Sequence, residues 1–288
     1  MAPAALHDVL SAAIHRLRDA GIADPSAAAD VDVLARHVLG WDRARLLAHR
    51  LDAVPDGFTD RFASLVDRRA RRVPVAYLTG TREFYGLDFE VTPAVLVPRP
   101  ETELAVDASL ACLAGLERPC LVDVGTGSGC IAVALACARP DARAIAIDRS
   151  RNALLVARRN ARRHEALDRV AFVAGDLLHA VAPVGRADVI VSNPPYIPEG
   201  SPEVWADVRE HEPAGALFAG PDGLDVIRRL VRDAASRLRP GGHLVMEIGA
   251  GQAPAVAALS ASTGDWRPAA FRADLQGIDR VAVLAARR

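Results

Sequence analysis

Lysine is absent from this 288-residue chain, so all 35 of its basic residues are arginines. With the abundant alanine, this bias is typical of GC-rich coding, and we attach no function to it. The 36 acidic residues bring the formal net charge to −1. Proteins that bind long nucleic acids without sequence preference usually carry a clear basic excess, so the balance argues against that class. The net charge does not exclude a local basic patch.

Cysteine is scarce as well, and its spacing does not suit a metal. The chain has four cysteines, Cys112, Cys120, Cys130 and Cys137. They form no C-x-x-C pair, and no histidine cluster stands near them at the spacing of zinc ligands. We therefore expect no metal and no redox centre, and mainly buried, reduced thiols.

Long apolar runs are missing too. The chain has no stretch of about 18 apolar residues, the length that a transmembrane helix needs. The N-terminal segment 1–20 carries His7 and Asp8 and lacks a long apolar core, so we expect no signal peptide. These absences predict a cytoplasmic protein, and a monomer is our default expectation.

What the chain does have is a hydrophobic content of 51%, enough for one large domain and a small one. Residues 1–75 are predicted to form a helical domain, since apolar residues within 6–17 recur at helical spacing. Residues 76–97 alternate aromatic and apolar side chains around Gly86, which predicts a β-hairpin linker. The arginine-rich segment 68–72 is interpreted as a solvated helix end, with a contact surface for an acidic or RNA-bearing partner as the alternative.

From about Pro119 onward, strand and helix patterns alternate, which predicts an α/β catalytic domain over residues 98–288. Continuously apolar strands indicate a mostly parallel sheet covered by helices on both faces. Two last strands within Phe271–Ala286 predict an antiparallel hairpin at the end of the sheet. The other predicted strands are Leu121–Val124, Ala144–Ile147, Val170–Ala174, Val189–Val191 and Leu244–Ile248, and the predicted helices are Ile131–Ala138, Ala153–Arg163 and Leu224–Leu238.

A glycine-rich turn, DVGTGSG (Asp123 to Gly129), lies between the first of these strands and the first helix. In doubly wound sheets, nucleotides bind at this crossover. Gly125, Gly127 and Gly129 are spaced G-x-G-x-G, whereas a dinucleotide site needs G-x-G-x-x-G, and Cys130 occupies the third glycine's place. The turn therefore suits a ligand without a pyrophosphate, such as the amino-acid end of S-adenosylmethionine. A plain structural bend is the alternative.

Acidic residues follow the next two strands. Asp148 ends the second strand, where a carboxylate can accept both hydroxyls of a ribose; a simple helix cap is the alternative. Asp176 follows the third strand, where we expect it to reach the amino group of an adenine while Leu177 packs along the base. For Asp176, an ordinary loop aspartate is the competing interpretation.

The motif SNPPY, Ser192 to Tyr196, follows the fourth strand. Two prolines fix a rigid extended turn, so the Asn193 side-chain oxygen and the Pro194 carbonyl are both expected to serve as acceptors. Paired acceptors can hold the two hydrogens of a planar NH2 group, and Tyr196 is expected to place a ring beside it. A proline-rich loop of no special role is the alternative.

That arrangement addresses a chemical difficulty of amides. An amide nitrogen is a poor nucleophile because its lone pair is delocalised into the carbonyl. Paired acceptors orient the nitrogen, weaken the delocalisation and stabilise the charge that builds on it. Methyl transfer is then an in-line displacement that needs no strong base before attack, and an aromatic face favours a cationic methyl donor.

Together these motifs resemble the PrmC/HemK family of class I methyltransferases, which act on the glutamine of the Gly-Gly-Gln motif in peptide chain release factors. The likeness covers nearly the whole chain and is weakest over the first 70 residues. Its segments are YLTG (Tyr77–Gly80), REFYGLDF (Arg82–Phe89), PRPETE (Pro98–Glu103), IVSNPPYI (Ile190–Ile197), EHEP to GPDGLD (Glu210 to Asp225) and PGGHLVMEIGAGQ (Pro240–Gln252).

The resemblance implies a Rossmann-like, mostly parallel seven-stranded sheet and an S-adenosylmethionine-dependent protein-(glutamine-N5) methyltransferase, with residues 1–75 docking the release factor. It implies no metal. Leu177 stands where some relatives carry an aromatic residue, which puts the packing of the adenine in doubt. The implied cofactor site comprises Gly125, Thr126, Gly127, Ser128, Gly129, Asp148, Asp176, Leu177 and Asn193; the implied catalytic residues are Asn193, Pro194 and Tyr196; the implied substrate site adds Pro195, Arg99, Pro100 and Glu101.

The nearest alternative is a methyltransferase that acts on an exocyclic amine such as adenine N6 in DNA or RNA. Asn-Pro-Pro-Tyr suits that chemistry equally well, but such enzymes must extrude the base and usually carry a recognition region and a basic face. A non-catalytic cofactor-binding scaffold would need a degraded catalytic turn, and this one is intact. An oxidoreductase is disfavoured by the glycine spacing.

Overall fold

The computed structural model describes residues 5–180, 187–201 and 206–287. Contacts divide them into two units: residues 5–81 with 206–211, and the remaining described residues from 82 to 287. This division differs from the expected one, because the segment 82–97 belongs to the second unit and a short later segment belongs to the first. The start of the N-terminal segment in which we expect no signal peptide lies outside the described residues.

The first unit is helical, as predicted. Its interior holds the apolar side chains that recur along these helices, among them Leu10, Leu17 and Leu34, and the stacked rings of Phe58 and Phe62, whose centroids are 4.8 Å apart. The helices are α1 (Leu6–Asp19), α2 (Ser26–Leu39), α3 (Arg43–Ala48), α4 (Phe58–Ala70) and α5 (Val75–Thr79), joined by α9 (Ala206–His211).

The arginine-rich segment proves to be only partly solvated. Arg69 is buried and its Nε donates to Asp30 at 2.7 Å, which ties α4 to α2. The Arg72 guanidinium donates to the carbonyl of Ala20 at 3.0 Å. Arg68 and Arg71 are exposed. Arg69 thus stabilises the helical unit from inside and the half-buried Arg72 stabilises it at its surface, while the exposed pair fits the solvated helix end.

The predicted β-hairpin is confirmed. Strands β1 (Thr81–Phe84) and β2 (Leu87–Glu90) pair across a two-residue turn. Tyr85 and Gly86 both have positive φ (54° and 73°), the geometry of turns that match the twist of a hairpin. Burial of the Phe84 and Phe89 side chains, which lie edge to face, holds the hairpin on the larger core.

The second unit is built on a seven-stranded sheet of order β5-β4-β3-β6-β7-β9-β8, which confirms the predicted fold class. Five strands are parallel, and β9 pairs antiparallel with both β7 and β8, forming the predicted closing hairpin. The strands are β3 (Cys120–Val124), β4 (Arg143–Asp148), β5 (Val170–Ala174), β6 (Ala187–Ser192), β7 (Leu238–Glu247), β8 (Ala270–Ala273) and β9 (Asp279–Ala285).

Helices cover both faces of this sheet, because successive strand residues point to opposite sides. Leu121 packs into one apolar cluster and Val122 into the other. All six residues of β6 are buried, Asp188 and Ser192 among them, and burial on both faces explains the apolar run of residues 189–191 between these two. The helices are α6 (Glu103–Cys112), α7 (Cys130–Ala138), α8 (Arg151–Arg163), α10 (Asp225–Ala234) and α11 (Ala253–Thr263).

Of the four free cysteines, only Cys130 is buried, so the expectation of mainly buried thiols is wrong for three of them. Cys112, Cys120 and Cys137 lie at the ends of their helices or strand, where the core gives way to solvent. Burial raises the pKa of the Cys130 thiol to about 12. Within the described ranges, no cluster of three or more potential metal-binding side chains occurs. None of the helices there is long and apolar enough to span a membrane.

Candidate active site

A cavity lies at the carboxyl ends of β3, β4, β5 and β6, at the point where the strand order reverses and open α/β sheets bind their ligands. Ten of the predicted site residues line it. They are Arg99, Gly125, Thr126, Gly127, Ser128, Asp148, Asp176, Leu177, Asn193 and Pro195.

The glycine turn connects β3 to α7 and is held by its neighbour strand. The amides of Gly125 and Thr126 both donate to the carbonyl of Ile147, at 2.8 and 2.9 Å. Gly125 has φ of 73°, and a Cβ there would meet no atom within 4 Å, so the backbone stands open to a ligand. A Cβ on Gly129 would instead lie 3.0 Å from the Cβ of Ala157. Gly129 therefore serves the packing of α7 on α8 and does not line the cavity.

A buried carboxyl, that of Asp123, underlies the turn. Its Oδ2 accepts hydrogen bonds from the Thr126 hydroxyl at 2.6 Å and the Ala132 amide at 3.1 Å. Its Oδ1 is buried with no hydrogen-bond partner. Burial raises the pKa of Asp123 to about 7. An unsatisfied acceptor beneath the turn fits a ligand that brings a donor or a positive charge.

Asp148 combines a structural and a cavity-facing position. Its Oδ2 accepts from the Gly127 amide at 2.9 Å, and its Oδ1 accepts from the Ser150 amide at 2.8 Å. The cap of α8 is Ser150, whose hydroxyl accepts from the Ala153 amide at 3.2 Å. Asp148 is therefore not that cap, and its ribose contact stays a prediction.

Asp176 and Leu177 line the cavity beyond β5. Asp176 forms an ion pair with Arg229 of α10, and this hydrogen bond lowers the pKa of its carboxyl. Leu177 has φ of 49°, a left-handed conformation that costs a leucine about 1–3 kcal/mol and is often found at ligand sites. Arg229 also lines the cavity and had no signal in the sequence. The adenine contacts of both predicted residues stay predictions.

Asn193 directly follows β6, and one side of its amide is already engaged. Its Nδ2 donates to the Thr102 hydroxyl at 2.9 Å. This bond turns Nδ2 toward Thr102, so Oδ1, on the other side of the amide, is the acceptor that the motif predicts for a ligand. Pro195 lines the cavity, but Pro194 is buried and is not among the described lining residues.

Behind Asn193 lies a buried carboxyl, that of Glu247 at the end of β7. Its Oε2 accepts from the Thr102 hydroxyl at 2.6 Å and its Oε1 from the Tyr196 hydroxyl at 3.1 Å. Burial raises the pKa of Glu247 and also that of Tyr196. Tyr196 thus points at Glu247 and is not among the described lining residues. Sequence analysis missed Thr102 and Glu247, although both lie in the quoted segments PRPETE and MEIGAGQ.

The PRPETE segment contributes Pro98, Arg99 and Thr102 to the lining of the cavity, and Arg99 is its charged member. Its guanidinium donates to Glu212 at 2.5 Å, and Glu212 also accepts from the Val97 amide at 3.3 Å. Pro100 and Glu101 begin a short 3-10 helix that runs into α6, and neither is among the described residues of the cavity lining. Their contact with a substrate stays a prediction.

Comparison with known proteins adds to this geometry. A profile of the PrmC N-terminal domain matches residues 8–80, and a profile of the methyltransferase small domain matches residues 105–208. The catalytic domain of hMettl16, solved with the MAT2A 3′UTR hairpin 6, has a TM-score of 0.58 and 16% identity over 77% of this chain and 82% of its own. At that identity the likeness supports the fold alone.

Two relatives that are more similar in sequence share a name. A release factor glutamine methyltransferase of Burkholderia pseudomallei is 44% identical over 262 residues, which is 90% of this chain and 92% of the relative. One from Moorella thermoacetica is 44% identical over 280 residues, 96% of each chain. With both domain profiles matched and the cavity in its expected place, this chain belongs to the release factor glutamine methyltransferase family.

Proposed function

We propose that this enzyme transfers a methyl group from S-adenosylmethionine to the side-chain amide nitrogen, N5, of the glutamine in the Gly-Gly-Gln motif of peptide chain release factors. The observation that carries the proposal is the hydrogen bond from Asn193 Nδ2 to Thr102, which leaves Oδ1 as an acceptor at the cavity. An acceptor in that place suits an NH2 group as the methyl acceptor.

The residues present fit the cofactor. Gly125, Gly127 and Asp148 would hold it, since the two glycines leave the backbone open and the Asp148 carboxylate lies in the cavity. The unsatisfied Oδ1 of Asp123 suits the donor that an amino-acid end brings. When bound, S-adenosylmethionine supplies an electrophilic methyl group on its sulfonium. Asp176 and Leu177 are proposed to contact its adenine.

Asn193 acts on the other reactant. Its Oδ1 and the Pro194 carbonyl are proposed to accept the two N–H groups of the glutamine amide and to aim the nitrogen lone pair at the methyl group. As the nitrogen becomes positive, these fixed acceptors stabilise the charge without having to reorganise. Pro195 narrows the same side of the cavity. A base is not required before attack, because the proton leaves after the new bond has formed.

The remaining expectations are part of the same proposal. Release factors work in translation, so we propose that the enzyme acts in the cytoplasm, as a monomer. The helical unit of residues 5–81 with 206–211 is proposed to dock the release factor, and the arginine-rich segment 68–72, with exposed Arg68 and Arg71, is available for such a contact.

The decisive experiment measures methyl transfer from labelled S-adenosylmethionine to purified release factor. A release factor with Gln→Ala in its Gly-Gly-Gln motif is the matched control, and DNA and RNA are parallel substrates. We expect label on the intact release factor alone. Label on nucleic acid alone would replace the substrate with an exocyclic amine of a base, while label on the Gln→Ala control would move the target elsewhere in the release factor.

A further inference from the structure

Four side chains form one hydrogen-bonded series that begins at the cavity wall, which Asn193 and Thr102 line, and continues to the buried Glu247. Tyr196 and Thr102 each donate a hydroxyl hydrogen to the Glu247 carboxyl, and Asn193 donates to Thr102. Thr102 and Glu247 are both 2% exposed. Thr102 therefore separates Glu247 from the Asn193 amide, and Glu247 has no proposed contact with either reactant.

The direction of these bonds follows from hydrogen counting. A threonine hydroxyl has a single hydrogen, and Thr102 donates it to the Glu247 carboxyl at 2.6 Å. Toward Asn193, Thr102 can then act only as an acceptor, so the donor side of the amide, Nδ2, must face it. When Glu247 is deprotonated, both of its oxygens are acceptors, and this determines the direction of the whole series.

An amide side chain has nearly the same shape after a half-turn that exchanges oxygen and nitrogen. Shape alone would therefore let Asn193 present Nδ2 to the cavity, where it would repel the N–H groups of a glutamine. Only a neighbour with a defined donor or acceptor role selects one orientation.

We propose that Thr102 and Glu247 are positioning residues that hold the Asn193 amide with Oδ1 toward the methyl acceptor. The proposal rests on the proposed function and assigns the two residues no contact with the reacting atoms. This role explains why an acid is buried here. A carboxyl that only filled space would destabilise the fold through its desolvation, without a compensating interaction. The raised pKa of Glu247 records that cost.

The test compares variants that keep the shape and change the hydrogen bonds. Thr102→Val removes the hydroxyl at constant volume, Thr102→Ser restores it, and Glu247→Leu removes the acceptor. Ser109→Ala is the control, because it deletes a buried hydroxyl that donates to the Ala105 carbonyl in α6, the helix that directly follows Thr102. For each we would measure kcat and KM on release factor, the Kd of S-adenosylhomocysteine and the melting temperature.

We expect Thr102→Val to lower kcat about 10-fold to 100-fold, as misorientation of a reactant does, with the Kd of S-adenosylhomocysteine within about twofold of wild type. Thr102→Ser should recover most of that loss, and Ser109→Ala should stay near wild type. Glu247→Leu should lower kcat similarly. The double variant, Thr102→Val with Glu247→Leu, should have a kcat no lower than that of the slower single variant, because both substitutions break the same hydrogen-bonded series.

A kcat of Thr102→Val within twofold of wild type, or a Thr102→Ser variant as slow as Thr102→Val, would overturn the positioning role. So would additive losses in the double variant. Failure of the proposed function looks different: wild-type protein would then bind S-adenosylhomocysteine and leave release factor unlabelled. If Thr102→Val does not fold, the kcat values of Thr102→Ser and Glu247→Leu, each divided by the wild-type kcat, still decide the question.

Discussion

The two halves of the cavity are held in different ways. On the side proposed to hold the cofactor, Asp148 accepts hydrogen bonds from the backbone amides of Gly127 and Ser150, so it is positioned mainly by the main chain. On the acceptor side, Asn193 depends on the side chain of Thr102, 91 residues earlier in the chain. The arrangement around Asp148 can be predicted from a short motif, whereas the arrangement around Asn193 requires contacts with residues outside its motif.

This difference teaches that a complete motif is not a complete site. Asn-Pro-Pro-Tyr is intact, yet which atom of Asn193 faces the cavity depends on hydrogen bonds outside it. Tyr196, inside the motif, is bonded to Glu247, 51 residues later. Substitutions in each half should therefore fail in distinguishable ways.

The largest effect is expected on the acceptor side. Asn193→Ala removes the acceptor at the cavity and should lower kcat about 100-fold to 1,000-fold, the range seen when one preorganised partner of a transition state is lost. S-Adenosylhomocysteine should still bind, because Asp148 and the glycine turn are untouched. Labelled methyl transfer and calorimetric binding measure the two quantities; near-wild-type turnover would remove Asn193 from catalysis.

Substitution of Asp148 should affect binding of the cofactor more than turnover. Asp148→Asn loses the charge of an acceptor that lies in the cavity, which should weaken binding of S-adenosylhomocysteine about 10-fold to 100-fold. With saturating cofactor, kcat should fall much less than in Asn193→Ala. Asp168→Asn, an exposed loop substitution, is the control. Unchanged affinity would take Asp148 out of the cofactor site.

Two glycines of one motif sharpen the comparison further. Gly129→Ala meets Ala157 at 3.0 Å and has φ of 82°, so it should destabilise the fold by about 1–3 kcal/mol. Gly125→Ala meets no atom and should cost only the left-handed strain, about 1 kcal/mol, while impairing cofactor binding. Thermal unfolding and binding to S-adenosylhomocysteine separate the two; equal losses of stability would contradict the packing role of Gly129.

The last prediction concerns pH. Because burial raises the pKa of Asp123 from its ordinary value of 3.8 to about 7, the folded state keeps a proton between pH 3.8 and 7 that the unfolded state has already lost. The free energy of unfolding should therefore fall as pH rises through that window, by up to about 1.4 kcal/mol per pH unit from this group. Denaturant titrations of wild type and Asp123→Asn measure it. An identical slope in both would show that Asp123 ionises normally.

Much of the fold was predictable, because it depends on local patterns. The strands β3 to β6 lie where the apolar runs predict them, and the turn at Gly86 follows from its backbone preference. Strand β7 begins at Leu238, earlier than the predicted Leu244, since Pro240 and two glycines masked the strand pattern. The unit boundary was not predictable, because a short segment around residues 206–211 returns to the helical unit.

The sequence by itself determined the order of the elements, the glycine turn and the placement of Asp148 and Asn193 at strand ends. These follow from backbone preferences and side-chain periodicity within a few residues. Only the tertiary structure decided that Gly129 packs a helix, that Arg229 pairs with Asp176, and that Thr102 and Glu247 stand behind Asn193. The reason is physical: a hydrogen bond needs atoms within about 3 Å, and residues far apart in the chain come that close only when the sheet assembles them.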